Sequence, residues 1–385
     1  MAEGGPFADA GHWILPEALF EGGRLRRGRA VYLEGGRVLR TADAAEIGTG
    51  APRAEMAGVL SPGFVDLQVN GGGGRLVNTT PTPEAMIEIA AAHRRFGTVA
   101  ILPTVITDTD AVLDAAAEAA VQALGAPGIA GLHIEGPHLS VARKGTHDAA
   151  HVRPFAPATL RRVRRLRDAG VPVMITVAAE AISPADVAAL AEMGAVVSIG
   201  HSDARAEDVE PLIGAGLRAA THLFNAMSPL TSREPGVVGA VIDSELYAGI
   251  ICDGIHVDDR AVAIACRARP RPDRMMLVSD AMPTVGGPDR FRLYDDDIAL
   301  SDGRLVNREG GLAGAHVTQA EGVLRLAQVV GLGLEAALAM AITHPAEAMR
   351  LPELAAVEGR LASDLICLAP DGAFLGTPDA RHALA

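Results

Sequence analysis

Aromatic residues and cysteines are both scarce in this chain. Aromatics make up 3% of its 385 residues, with a single tryptophan, so a recognition surface built on aromatic anchors is not expected. The three cysteines, Cys252, Cys266 and Cys367, show no CxxC spacing and cannot all pair. A disulfide framework is therefore not expected, and each cysteine is interpreted as core filling in an apolar context.

Positive charge and long apolar runs are also in short supply. The formal net charge is -13 and the only lysine is Lys144, which argues against nucleic acid or an anionic membrane as a partner. The N-terminal stretch has neither a basic nor an apolar signal-like region, and no uncharged apolar run reaches the roughly 18 residues that span a bilayer. We therefore expect a soluble, cytoplasmic protein.

Apolar residues, in contrast, form 49% of the chain, enough for a sizeable core. Strand-like apolar segments recur along its middle, and Ala/Glu/Arg-rich stretches with helical spacing, such as 83–96 and 157–170, separate most of them. The strand-like segments are 63–69, 97–105, 129–136, 171–179, 195–202, 219–225, 247–254 and 275–282. Eight strands that alternate with helices predict a parallel sheet closed into a TIM-type (β/α)8 barrel.

The segments that flank this pattern differ from it. Residues 18–58 read as short strands with a hairpin around a Glu-Gly-Gly turn, and 364–370 reads as a last strand that completes the same sheet. The Asp/Gly-rich stretch from Met282 to about Gly314 predicts an active-site loop or a small hairpin. The expected fold is α/β: residues 61–355 form the barrel, while 1–60 and 356–385 form a small discontinuous β-sandwich.

Polar side chains stand where predicted barrel strands end. Glu135, His201 and His222 follow three different strands, and the carboxyl ends of barrel strands converge on one mouth. One carboxylate and two imidazoles with an open fourth position are the ligand set of a catalytic metal, which also explains a carboxylate at the end of a buried strand. Asp280, at the end of the eighth strand, is the candidate base that takes a proton from a metal-bound water, or else a hydrogen-bond partner of a histidine. His133, which alternates with Glu135, is predicted either to be structural or to support a metal ligand from behind.

Six motifs carry a resemblance to a known family. GFVDLQVNG, GLHIEGPHLS…KGTH, IGHSDA, THLFNAMSPLTSREPG, CDGIHV and LVSDAM occur in this order. Together they resemble the N-acetylglucosamine-6-phosphate deacetylases of the amidohydrolase superfamily. The resemblance implies a metal held by Glu135, His201 and His222, and Asp280 as a catalytic residue.

The same resemblance implies further roles. His147 would polarise the amide carbonyl, and Thr146 and His147 would contact substrate. Phosphate would meet Asn225, Ala226, His256 and an Arg233 contributed by the neighbouring subunit of a homodimer or homotetramer. The sugar and acetyl region would be lined by Asp253, Gly254, Ile255, His256, Leu312, Ala313 and Gly314. The chain departs from the family at Ala315 and His316, where small hydroxyl residues are frequent.

Gln68 and Asn70 occupy the position where many amidohydrolases carry His-x-His. Side-chain amides are poor ligands, so these two residues either hydrogen-bond beside the metal or mark a second metal position that has lost its histidines. We expect one divalent ion per subunit, zinc first, with Fe(II), Co(II) or Mn(II) also compatible with the ligand set.

The resemblance implies hydrolysis of the acetamide of N-acetylglucosamine 6-phosphate to glucosamine 6-phosphate and acetate, in amino-sugar catabolism. Two alternatives stay open. One is the same chemistry on the galactosamine epimer or another N-acyl amine. The other is a catalytically dead barrel that serves as an oligomeric scaffold.

Overall fold

Five strands at the start of the described chain, residues 11–378 of the computed structural model, form most of one sheet. They are β1 (His12–Glu21), β2 (Arg24–Arg26), β3 (Arg29–Glu34), β4 (Arg37–Asp43) and β5 (Arg53–Pro62). β3 and β4 are the hairpin predicted around the Glu-Gly-Gly turn, and β1 lies between β3 and β5. Their buried apolar side chains, Leu19, Val31 and Leu60 among them, build a small core of their own.

The middle of the chain alternates strands with helices. In order these are β6 (Phe64–Val69), β7 (Gly71–Gly72), β8 (Arg75–Leu76), α1 (Pro83–Arg94), β9 (Thr98–Ile106), α2 (Asp110–Ala123), β10 (Leu132–Glu135), α3 (Pro157–Asp168), β11 (Val173–Val177), α4 (Pro184–Glu192), β12 (Val196–Ile199), α5 (Ala206–Gly214), β13 (Ala219–Ala220), α6 (Gly236–Ile242), β14 (Tyr247–Ile250), α7 (Asp259–Ala268) and β15 (Met275–Leu277). β7 and β8 pair only with each other, while the other eight strands form one parallel sheet in chain order.

This sheet closes into a barrel at its carboxyl end. The backbone N–H of Asp280 donates to Gln68 O at 3.0 Å, and that of Asn70 donates to Ala281 O at 2.9 Å. These bonds join the ends of β6 and β15, the first and eighth strands of this sheet. The predicted site residues of both strands therefore lie at the same mouth of the barrel. The fold class predicted from the sequence is confirmed.

Local sequence explains why the helices begin where they do. Thr82, Thr109 and Ser183 precede α1, α2 and α4, and the side chain of each accepts a hydrogen bond from a backbone N–H of the first helical turn. α1, α3 and α4 also begin with proline, which fits the first helical turn because its missing N–H has no partner there in any case.

After the barrel strands comes a small antiparallel sheet, where the sequence predicted either a loop or a hairpin. It consists of β16 (Arg290–Leu293), β17 (Asp296–Ser301), β18 (Arg304–Val306) and β19 (Leu312–Ala315). We call these four strands the inserted sheet. Its buried residues, such as Leu293 and Ile298, pack with Met282 and Ile106 next to the barrel mouth.

The last elements return to the barrel and then to the first sheet. They are α8 (Gln319–Gln328), α9 (Leu334–Leu338), a π-helical turn (Ala339–Thr343), α10 (His344–Met349), β20 (Leu365–Leu368) and β21 (Phe374–Gly376). Short 3-10 turns lie at Ala44–Glu46, Val141–Arg143, Ala149–His151, Ala179–Ala181, Pro272–Arg274, Pro352–Ala355 and Ala362–Asp364. β20 pairs antiparallel with β5, as predicted for the final strand. The domain limits 1–60, 61–355 and 356–385 stay a prediction, and their outermost residues lie outside the described range.

Within residues 11–378, no helix is long and apolar enough to cross a membrane.

Candidate active site and metal centre

The candidate metal ligands and the candidate base all lie at the carboxyl ends of barrel strands. Glu135 is the last residue of β10, and His201, His222 and Asp280 follow β12, β13 and β15 closely. His201, His222 and Asp280 have φ values of 49°, 33° and 53°, in the left-handed region that side chains rarely adopt. Such strain clusters at functional sites, where the surrounding structure holds it in place.

Three of these side chains place one atom each in a nearly equilateral triangle. Nε2 of His201 and Nε2 of His222 both lie 3.1 Å from Oε1 of Glu135, and the two nitrogens are 3.0 Å apart. Donor atoms around a tetrahedral zinc ion lie about 3.3 Å from one another, given bonds of 2.0–2.2 Å. The triangle that the sequence predicted therefore has close to the size that a bound divalent ion requires.

The other ring nitrogens show how the histidines are oriented. Nδ1 of His201 lies 2.8 Å from the carbonyl oxygen of Arg143 and donates to it, while Nε2 lies 3.1 Å from Oε1 of Glu135. This is the arrangement that orients metal-bound histidines in proteins. Nδ1 of His222 is buried and has no hydrogen-bond partner among the described residues.

The electrostatics of the triangle also suit a cation. Burial alone raises the pKa of the Glu135 carboxyl, but hydrogen bonds from His201 and His222 outweigh burial and hold that pKa well below its usual value. Burial opposes protonation of His222, yet its hydrogen bond to Glu135 prevails and raises the pKa of His222. A buried carboxylate thus draws positive charge to the triangle, and a divalent ion would supply it in place of a proton.

His147 is a fourth candidate ligand. One ligand atom each from Glu135, His147 and His201 lies within 4.8 Å of the others. His222 is the alternative third ligand, since its Nε2 lies 3.1 Å from Oε1 of Glu135 and 3.0 Å from Nε2 of His201. Burial, with His201 acting in the same direction, lowers the pKa of His147 well below its usual value, so its ring is neutral.

Asp280 stands beside the triangle, held by the two amides of the Gln-x-Asn motif. Asn70 Nδ2 donates to Asp280 Oδ1 at 2.6 Å, and Gln68 Nε2 donates to the same oxygen at 3.1 Å. Gln68 Nε2 also lies 3.1 Å from Oε2 of Glu135. Desolvation, followed by the nearby charge of Glu135, raises the pKa of Asp280 to about 6. The two amides therefore act as hydrogen-bond donors to carboxylates, which is one of the two roles the sequence left open.

These groups open into a pocket of about 610 Å³. Most of the predicted substrate-contact residues line it, together with three that sequence reasoning missed: Ile106, Gly145 and Met282. The predicted residues on its wall are Asn70, Glu135, Thr146, His147, His201, His222, Asn225, Ala226, His256, Asp280, Leu312 and Gly314. One pocket thus contains the triangle of candidate metal ligands and the candidate base Asp280. The predicted phosphate contacts Asn225, Ala226 and His256 line the same pocket.

Comparisons with known proteins identify the family of this chain. A curated N-acetylgalactosamine-6-phosphate deacetylase from Shewanella sp. (strain ANA-3) is 43% identical over 319 residues, covering 82% of this chain and 80% of the relative. The N-acetylglucosamine-6-phosphate deacetylase of Haemophilus influenzae is 32% identical over 356 residues, covering 90% of this chain and 92% of the relative. The chain belongs to the N-acetylglucosamine-6-phosphate deacetylase family.

Solved structures of the deacetylase family match the whole architecture. The Pasteurella multocida enzyme superposes with a TM-score of 0.88 at 30% identity, over 96% of this chain and 98% of that one. A point mutant of the Mycobacterium smegmatis enzyme, in complex with N-acetyl-D-glucosamine-6-phosphate, superposes with a TM-score of 0.85 at 29% identity over 95% and 97%. No protein-family profile matches the chain. The chain is therefore a deacetylase of amidohydrolase type, and the dead-scaffold alternative finds no support.

Some predicted substrate contacts of this deacetylase lie off the pocket wall. Arg233 is exposed, and Asp253, Gly254, Ile255 and Ala313 do not line the pocket. Asp253 instead supports a residue that does, because its Oδ2 accepts from Nδ1 of His256 at 2.6 Å. The local geometry thus assigns Asp253 an indirect contact at most.

Two other histidines of the deacetylase have their ring nitrogens engaged elsewhere. Nδ1 of His133 lies 3.0 Å from Leu67 O and its Nε2 lies 2.7 Å from Thr176 Oγ1, so the ring has no nitrogen left for a metal. His316, at the position where the chain departs from the family pattern, lies 2.9 Å from Thr284 Oγ1 and does not line the pocket. Neither Ala315 nor His316 therefore forms part of the pocket wall.

Proposed function

We propose that this deacetylase hydrolyses the acetamide of N-acetylglucosamine 6-phosphate to glucosamine 6-phosphate and acetate, in amino-sugar metabolism. The observation that carries the proposal is the triangle of Glu135, His201 and His222 with Asp280 beside it, in one pocket with Asn225, Ala226 and His256. The proposal draws its substrate from the named relatives and from the ligand bound in the Mycobacterium smegmatis structure.

We further propose zinc as the ion and Glu135, His201 and His222 as its ligands. Two imidazoles and a carboxylate suit zinc, and the triangle fits its bond lengths. When bound, such an ion supplies a Lewis acid for the amide carbonyl and makes a water molecule acidic enough to react near neutral pH.

The protein's own side chains supply the proton transfers. The hydrogen bonds from Asn70 and Gln68 converge on Oδ1 of Asp280, so its Oδ2 is available to accept a proton from the attacking water. The water oxygen then bonds to the carbonyl carbon, the C–N bond breaks, and Asp280 returns the proton to the departing amine. His147, on the pocket wall, donates a hydrogen bond to the carbonyl oxygen as negative charge develops there.

The same pocket also carries groups that suit a phosphate. His256 is anchored by Asp253 through Nδ1, which leaves Nε2 for the pocket, and the Asn225 amide adds a donor. Ala226 has a φ of 51°, so its backbone is turned out of the extended strand conformation at the pocket wall. A substrate phosphate there would hold the acetamide over the metal triangle.

Removal of the phosphate is expected to lower kcat/KM by about 10³-fold, because donors placed for a phosphate stay unpaired without it. The measurement compares acetate release from N-acetylglucosamine 6-phosphate and from N-acetylglucosamine. Equal kcat/KM for the two would rule out the phosphate contacts while leaving deacetylation itself intact.

N-acetylgalactosamine 6-phosphate is the second candidate substrate, because the relative that is 43% identical is named N-acetylgalactosamine-6-phosphate deacetylase. The same acetate assay with both epimers settles the preference through the ratio of the two kcat/KM values. Activity on neither phosphorylated sugar would overturn the proposed function.

We also propose that Arg233 completes the phosphate site of a neighbouring subunit in a homodimer or homotetramer. The supporting observation is that Arg233 is exposed and stands off the pocket of its own chain. Arg233→Ala is expected to lower kcat/KM by about 10- to 100-fold, the loss of one charged hydrogen bond.

A subunit-mixing experiment separates this arrangement from an arginine that serves its own chain. Arg233→Ala and Asp280→Asn subunits, each impaired alone, are unfolded, mixed and refolded together. If Arg233 acts across the interface, mixed dimers regain one intact site each, about one quarter of all sites for random pairing. Absence of any recovery in verified mixed oligomers, or a monomer in sedimentation velocity, would overturn the proposal.

A further inference from the structure

Thr107 lies directly behind His147, and neither composition nor motif marked it. It follows the last residue of β9, and its side chain is fully buried. Its Oγ1 lies 2.8 Å from Nδ1 of His147 and 3.4 Å from the carbonyl oxygen of Glu135. The hydroxyl therefore touches a residue of the reacting pocket without facing the pocket itself.

The backbone on both sides of Thr107 is held rigidly. Asn78 accepts from the N–H of Ile106 at 2.9 Å and donates to its carbonyl oxygen at 2.9 Å. The hydroxyl of Tyr294, in the turn between β16 and β17, donates to the carbonyl oxygen of Thr107. A methyl group added at Gly136 would lie 2.2 Å from Thr107 Oγ1, so the side chain fits closely against the residue after Glu135.

Whether His147 can donate a hydrogen bond into the pocket depends on which of its two ring nitrogens carries the proton. A hydroxyl carries a single proton, and the 2.8 Å contact to Nδ1 is a normal hydrogen bond, whereas 3.4 Å to Glu135 O lies beyond the usual O–H···O range. Of its two neighbours, Nδ1 is therefore the nearer acceptor for the Thr107 proton. A neutral imidazole that accepts at Nδ1 carries its own proton on Nε2.

We propose that Thr107 is a positioning residue that fixes His147 as a hydrogen-bond donor into the pocket, with the proton on Nε2. The opposite tautomer would leave a lone pair on Nε2. Because a ring nitrogen of His147 lies within 4.8 Å of ligand atoms of Glu135 and His201, that tautomer would make His147 a competing metal ligand. Thr107 thus keeps His147 available to polarise the substrate carbonyl, while His201 and His222 hold the ion. This inference rests on the proposed deacetylase function.

Two substitutions at one position test the inference. Thr107→Val keeps the shape and removes the hydroxyl, and we expect kcat to fall by about 10- to 100-fold with KM within about twofold. Thr107→Ser keeps the hydroxyl and is expected to restore most of kcat. Thr98→Val is the matched control, because Thr98 is buried on β9, the strand that leads to Thr107, and its Oγ1 has no hydrogen-bond partner among the described residues.

A second readout follows the proton directly. Long-range 1H–15N correlation spectra of zinc-loaded protein with 15N-labelled histidine are expected to show the His147 proton on Nε2 in wild type and Thr107→Ser. In Thr107→Val the proton is expected to shift toward Nδ1 or the ring to bind zinc. The His147 signals are assigned by their disappearance in His147→Gln.

Wild-type kcat in Thr107→Val, equal impairment of the Ser and Val variants, or an unchanged His147 tautomer in Thr107→Val would each overturn the inference. A wild-type protein that releases no acetate would overturn the proposed function instead. In that case the spectra still decide the role of Thr107.

Discussion

Asp280→Asn will lower kcat by about 10³-fold while the metal stays bound. Asparagine keeps the shape of aspartate and an oxygen that Asn70 and Gln68 can still reach, so the local structure should persist. It cannot accept a proton from water or return one to the amine. The measurement is steady-state acetate release combined with metal content per chain.

A charge-matched control separates this effect from a general loss of negative charge. Asp289→Asn removes an exposed carboxylate at the start of the inserted sheet and should leave kcat unchanged. An Asp280→Asn enzyme with wild-type kcat would remove Asp280 from the proton transfers. Loss of the metal in that variant would reassign Asp280 to holding the ion.

His222→Ala will weaken metal binding by more than about 100-fold, because the loss of a direct ligand should cost at least as much as the loss of a residue that only supports one. His147→Ala, by contrast, should keep the metal and lose activity, since the closer triangle contains His222. Elemental analysis after exhaustive dialysis measures the difference, with circular dichroism to establish that both variants fold.

The opposite pattern, with metal lost in His147→Ala and retained in His222→Ala, would replace His222 by His147 in the ligand set. Wild-type protein provides the companion experiment. Chelation should abolish acetate release, and the rates recovered with zinc, Fe(II), Co(II) and Mn(II) identify which ions the site can use.

The barrel could be predicted because the pattern that produces it, an apolar strand followed by a helix, repeats along the sequence. Each buried parallel strand needs a continuous apolar run, and each crossover needs a helix, so eight repeats leave few other topologies. Glu135, His201 and His222 stood out because a polar residue at the end of such a run has no packing explanation. The strand predicted at 219–225 was too long, since β13 ends at Ala220 and the chain turns to a φ of 33° at His222.

The inserted sheet and Thr107 were not predictable for different reasons. Strands of three to six residues rich in Asp, Arg and Gly carry too little alternation to distinguish a sheet from a loop. Thr107 gives no local signal, since a threonine after a strand is ordinary. Its contact with His147 joins the loops after β9 and β10, which become neighbours only when these two strands pair.

The pairing of β20 with β5 limits how early the first sheet can be completed during translation. The partners Pro62 and Leu365 lie 303 positions apart (365 − 62). At ordinary translation speeds, β5 emerges about 15–60 s before the strand that will cover it. During that interval one edge of β5 carries unpaired backbone N–H and C=O groups, which can pair with strands of other nascent chains. The sheet whose strands are synthesised first is therefore among the last to be completed.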